Sequence, residues 1–117
     1  MNWQTLTHVE QVKSIAQDSC HTPVILFKHS TRCSINSVAK DRFERQFDIE
    51  NAEAYLLDLL SFREVSNFIA QFFDVAHQSP QALLIVDGNC LYHSSHLDIY
   101  VNDIKDYLAN VVNLLEK

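Results

Sequence analysis

The chain has 117 residues, 47% of them hydrophobic, enough for one domain with one core over 1–117. Nine Lys and Arg against fifteen Asp and Glu leave a net charge of −6, so no basic excess exists to neutralise phosphates and no nucleic-acid partner is expected. Three cysteines, at positions 20, 33 and 90, make an odd count without the even spacing of a disulfide framework, which points to a reducing compartment.

Met1-Asn2-Trp3-Gln4-Thr5 lacks a basic segment followed by an apolar one, and no stretch approaches the roughly 18 apolar residues a membrane span needs. A cytoplasmic location without a membrane partner is the expectation. Thr7-His8-Val9-Glu10 has the Ser/Thr-x-x-Glu form of a capping box, and Val9, Val12, Ile15 and Ala16 add an apolar stripe, which predicts a helix over 8–18. Val24-Ile25-Leu26-Phe27 is then a short apolar run rich in β-branched residues, as in a strand buried on both faces.

The next helix is the one around which the chain is organised. Ile35, Val38, Ala39, Phe43 and Phe47 recur at spacings of three and four, so Cys33 falls at or near a helix N-terminus. Unpaired N–H groups and the positive end of the helix dipole favour an anion there, hence a thiolate. Arg32 adds a neighbouring positive charge, and His29 is a candidate for another. Such surroundings bring a cysteine from its ordinary pKa of about 8.5 to between about 3.5 and 7.5, and the thiolate is the reactive form. The plainer alternative is that Cys33 is a small buried apolar residue.

Ala54-Tyr55-Leu56-Leu57-Asp58-Leu59 reads as a second buried strand. Ser61-Phe62-Arg63-Glu64 repeats the capping-box pattern ahead of a stripe of Val65, Phe68, Ile69 and Phe72. Strand, helix, strand, helix implies parallel strands joined by a right-handed crossover. After Ser79-Pro80 the run Ala82-Leu83-Leu84-Ile85-Val86 is joined through Asp87-Gly88, a hairpin signal, to Cys90-Leu91-Tyr92-His93, with Cys90 and Tyr92 expected on one face. Ile104, Leu108, Val111, Val112 and Leu115 predict a final helix from about residue 101, its cap poorly marked.

This order, with a cysteine at the first strand-to-helix junction and a proline opening the third strand, resembles the thioredoxin fold. Within it, His29-Ser30-Thr31-Arg32-Cys33-Ser34-Ile35, Ser66-Asn67-Phe68-Ile69-Ala70, His77-Gln78-Ser79-Pro80-Gln81 and His93-Ser94-Ser95-His96 resemble the monothiol bacilliredoxin family of the bacillithiol system, over about Val24 to Ile99. Two departures stand out: Ser34 occupies the position after the cysteine, where the family usually has proline, and Asn36 the position three after it. Thioredoxins carry their second cysteine where this chain has Asn36, and a buried acid where it has Phe27. No vicinal thiol within the motif is therefore expected to resolve a mixed disulfide, and turnover would need a thiol from outside it.

The resemblance implies an α/β thioredoxin-like fold: a four-stranded mixed sheet flanked by helices, with an extra N-terminal helix. It implies a monothiol thiol-disulfide oxidoreductase in which Cys33 removes a low-molecular-weight thiol of the bacillithiol type from S-thiolated cytoplasmic proteins. Thr31, Arg32, Ser34, Asn36, Ser79 and Pro80 are the expected substrate-binding residues, with Pro80 cis and facing the nucleophile. The small thiol is a co-substrate; no tightly bound cofactor and a monomer are expected. Cys20, His21, His29 and Cys33 are metal-ligand types, but their spacing matches no usual paired zinc pattern, and no metal is expected. Cys90 reads as a core residue, and Cys20 as either an idle exposed thiol or a resolving one. The competing reading of the whole is a thioredoxin-fold binding or redox-sensing module that has lost turnover.

Overall fold

Val24–His29 is the strand on which the molecule is built, and all six of its residues are buried. The computed structural model describes residues 1–31 and 34–115, with side chains to residue 110. Its elements are β1 (Gln4–Thr5), α1 (Val9–Asp18), β2 (Val24–His29), α2 (Ser34–Gln46), β3 (Glu53–Asp58), α3 (Arg63–Phe72), β4 (Gln81–Val86), β5 (Asn89–Ser95) and α4 (Val101–Leu115), with a 3₁₀ turn at His96–Asp98. The strand order is β1-β3-β2-β4-β5. β3 runs parallel to β1 and β2, while β4 runs antiparallel to β2 and β5.

The mixed α/β sheet and the additional N-terminal helix α1 are as the sequence predicts. The four expected strands are β2 to β5, and β1 adds a fifth at the edge. Trp3 explains the addition: its ring packs on Phe27 and Phe43, at centroid distances of 5.6 and 5.8 Å, and its Nε1–H donates to Glu44 at 2.6 Å. Anchoring this indole draws Gln4–Thr5 alongside β3.

Side chains of β2 alternate between two cores. Val24 and Leu26 join Val12, Ile15, Leu57, Val65, Ile69 and Leu83 beneath α1 and α3. Ile25 and Phe27 join Ala39, Phe43, Leu84, Val101 and Ile104 beneath α2 and α4. Phe27 and Phe43 are almost wholly buried, and each such side chain stabilises the fold by about 1.5–3 kcal/mol.

Four details depart from the sequence-based expectation. His8 rather than Thr7 is the N-cap of α1, because Gln11 Oε1 accepts the N–H groups of Thr7 and His8 at 2.8 and 2.9 Å. Phe62 rather than Ser61 caps α3; the Ser61 hydroxyl donates instead to Asp58 Oδ2 at 3.0 Å. Helix α2 is rotated from its apolar stripe: Asn36, Ala39 and Phe43 face inward, leaving Ile35 42% and Val38 54% exposed. Cys90 and Tyr92 pack against opposite cores, because a register shift between Leu84 and Ile85 pairs them with Tyr92 and Cys90, and Leu91 bulges between. The stripe residues Val111, Val112 and Leu115 lie in α4, their side chains outside the described set.

Candidate functional site

At the C-terminal end of β2 the chain turns through Ser30 and Thr31 and enters α2 at Ser34. Asn36, in the first turn of α2, is 2% exposed. Its Oδ1 accepts the Ser30 backbone N–H at 3.0 Å and the Ser79 hydroxyl at 2.9 Å. One carboxamide oxygen thus joins the strand end, the helix start and the loop before β4. These bonds draw a polar residue inward and account for the rotation of α2, since Ala39 and Phe43 follow Asn36 on the same face.

The Ser79–Pro80 peptide bond is cis, as the resemblance implies. Pro80 is buried, and its carbonyl accepts the His96 N–H at 2.9 Å. Ser94 and Ser95 lie on β5 opposite Ala82 and Gln81. Ser66, on α3, meets His77 with Oγ 3.3 Å from Nδ1. Residues from each of the four sequence motifs therefore meet at one end of the sheet. Of the expected substrate-binding residues, Asn36, Ser79 and Pro80 are brought together, and Thr31 and Ser34 are exposed beside them. Arg32 and Cys33 lie outside the described residues.

Electrostatics here follow from burial. His29 is 8% exposed, and Nδ1 has no hydrogen-bond partner among the described residues. Burial, then the Lys40 ammonium, push its pKa below the usual histidine value, outweighing Asp58 and Glu44. The ring is therefore neutral at pH 7 and is not the second positive charge that sequence proximity suggested. Lys28 points to the other face and is fully buried, with burial lowering its pKa to about 8. Its Nζ donates to the Ser66 carbonyl at 3.1 Å and lies 3.2 Å from His77 Nδ1. Phe27, where thioredoxins bury an acid, packs 5.2 Å from Phe43 between ring centroids.

The other cysteines are elsewhere or inert. Cys20 is exposed beyond the N-terminal end of β2, next to Ser19, whose carbonyl accepts the Asp87 N–H at 3.0 Å. A hydrogen bond with Asp87 raises its thiol pKa. The length of β2, about 3.3 Å per residue, separates Cys20 and His21 from His29, so these residues do not form one metal site. Cys90 is partly buried, and desolvation pushes its pKa up to about 11, in keeping with a core residue.

Sequence reading carried Ser66, His77 and Gln81 only as parts of the family motifs and gave Lys28 no role, so none of the four was among the expected site residues. A signal was present: Lys28 directly follows the run Val24-Ile25-Leu26-Phe27 read as buried on both faces, and a lysine that continues such a strand requires buried acceptors. Where those acceptors lay was not legible, because Ser66 and His77 are 38 and 49 residues away.

The mixed sheet, its helices and the cis X-Pro bond before β4 define a thioredoxin-fold protein. A solved structure described as having a thioredoxin fold superposes with a TM-score of 0.78 at 28% identity, covering 89% of this chain and 91% of that one. Thioredoxin from Trypanosoma brucei brucei gives 0.73 at 15% identity over 96% and 92%, and that of Malassezia sympodialis 0.71 at 12% over 93% and 90%. The family model for monothiol bacilliredoxin BrxC matches residues 4–104, and the chain belongs to the monothiol bacilliredoxin family. Its function is accordingly in thiol redox chemistry, as a thioredoxin-like oxidoreductase.

Proposed function

We propose that the protein removes a low-molecular-weight thiol of the bacillithiol type from S-thiolated cytoplasmic proteins, with Cys33 as nucleophile. The observation carrying this reading is the Asn36 junction, because Asn36 stands where a resolving cysteine would and is held there by Ser30 and Ser79. Cys33 immediately precedes Ser34, the first residue of α2, and a thiolate at a helix start is favoured by the dipole and by Arg32 beside it in sequence.

The Cys33 thiolate attacks the small thiol's sulfur in the mixed disulfide. A new S–S bond joins Cys33 to the small thiol, the old one breaks, and the target cysteine leaves as a thiolate that takes a proton from water. A second small thiol, as thiolate, then attacks the small-thiol sulfur on Cys33, giving the symmetric small-thiol disulfide and restoring Cys33. An extended substrate chain pairs with the Ser79 backbone as a short additional strand, and Thr31, Arg32 and Ser34 are the further residues proposed to bind it.

The test is incubation of an S-bacillithiolated protein with wild type and Cys33→Ser, following the freed target thiol. The reading expects release by wild type only. Equal release by Cys33→Ser, or none by either, defeats it.

A further inference from the structure

A buried lysine demands an explanation that packing does not supply, since methionine would fill a similar volume without desolvating a charge. Lys28 is fully buried, and no carboxylate among the described residues forms an ion pair with it. Its partners are the Ser66 carbonyl, at 3.1 Å, and His77 Nδ1, at 3.2 Å. Ser66 lies within α3, where carbonyls are engaged by the helix ladder, so the distinctive partner is the imidazole. An ammonium only donates, which requires Nδ1 to be the acceptor and places the ring proton on Nε2 of a neutral His77. The Ser66 hydroxyl approaches the same nitrogen at 3.3 Å.

The cross-strand partner of Lys28 is Gln81, so both side chains leave the sheet on the same face. Gln81, 1% exposed, donates from Nε2 to the Ala76 carbonyl at 3.0 Å and accepts the Gln78 N–H at Oε1 at 3.4 Å. This one pair holds three consecutive loop residues: Gln81 holds the backbone of Ala76 and Gln78, and Lys28 the ring of His77. The next residues are Ser79, bonded to Asn36, and the cis Pro80.

We propose that Lys28 is a positioning residue for the exchange reaction, anchoring through neutral His77 the loop that carries Ser79 and Pro80, and that a proton on His77 releases this anchor. The proposal rests on the exchange function proposed above. Protonated Nδ1 cannot accept, and it would set the imidazolium of the exposed His77 against the buried Lys28 ammonium. The charges acting on the ring are Lys28 of β2 and Arg63 of α3, both positive; facing neighbours Ser66 and Gln81 are uncharged. Burial and those two cations lower the His77 pKa, so the anchor holds at neutral pH and fails on acidification.

The experiment uses the ¹⁵N-labelled full chain as wild type, Lys28→Met and His77→Asn, the last offering an acceptor that cannot be protonated in this range. In wild type, the amides of Gln78, Ser79 and Gln81 should shift with the midpoint of the His77 ring. In Lys28→Met that midpoint should rise by about half a pH unit or more, because a neighbouring cation is gone. Amides that ignore the ring, or an unmoved midpoint, overturn the proposal. The kinetic arm divides the rate of small-thiol removal by the Cys33 alkylation rate at the same pH, which cancels the thiolate fraction. That ratio should fall severalfold on acidification in wild type and stay flat in His77→Asn; a fall that persists in His77→Asn overturns the functional role. Loop amides that follow the ring in a protein with no exchange at any pH count against the exchange reading alone, the anchor having been read directly.

Discussion

Lys28→Met should change how stability depends on pH, and the size follows from the structure. The Lys28 pKa falls from 10.5 to about 8 because the ammonium is buried. A tenfold change in proton affinity is worth about 1.4 kcal/mol, so the charged state is penalised on folding by about 3 kcal/mol. Below pH 8 both folded and unfolded chains carry the charge and the penalty is constant. Between about 8 and 10.5 the unfolded chain binds more protons, so the Lys28 contribution to stability rises with pH; above 10.5 the penalty has vanished. Methionine has no such penalty. Urea unfolding followed by circular dichroism at both ends of this window should therefore show the stability of Lys28→Met relative to wild type dropping by about 3 kcal/mol as pH rises. Tyr55, Tyr92 and Cys90, whose pKa values burial raises, titrate in both proteins and cancel from the comparison. A difference that is the same at both pH values would refute the claim that Lys28 is buried as a strained cation.

Asn36→Ala removes the acceptor of two hydrogen bonds and should cost about 1–3 kcal/mol in urea unfolding, with Ser79→Ala costing less and the double variant less than the sum of both. Asn36→Cys should place a second thiol one helical turn from Cys33, and oxidation should then give a loss of about two daltons without an adduct, as an intramolecular disulfide requires. Limited alkylation at neutral pH with peptide mapping should label Cys33 ahead of Cys20 and Cys90, since Asp87 and burial respectively hold those two thiols protonated. A wild-type alkylation profile for Cys33 with its midpoint at or above about 8.5 would favour a binding module over an oxidoreductase.

Much of the fold was legible because its long elements obey simple periods. Val24-Ile25-Leu26-Phe27 announced a doubly buried strand, and Asp87-Gly88 a hairpin, with both residues at positive φ, 53° and 78°. β1 escaped because two residues carry no period; it depends on an indole packing against Phe27 and Phe43 far along the chain. The inward face of α2 escaped because Ile35 and Val38 are apolar and Asn36 is not, so hydropathy alone points the wrong way. The Asn36 oxygen shared between Ser30 and Ser79 turns that helix. Cys90 and Tyr92 were separated by a bulge, and a single extra residue reverses the alternation on which their placement relied. In the candidate site, the family motifs were visible as strings, whereas their convergence required the sheet: Lys28, Ser66 and His77 are linked by partners that no local pattern encodes.

The most direct test of the central claim is the intact mass of wild type, Cys20→Ser, Cys33→Ser and Cys90→Ser after exposure to oxidised bacillithiol. One bacillithiol adduct should form on wild type, Cys20→Ser and Cys90→Ser, and none on Cys33→Ser. An adduct on Cys33→Ser equal to that on wild type, or its absence from wild type, would contradict the assignment of Cys33 as the thiol that exchanges.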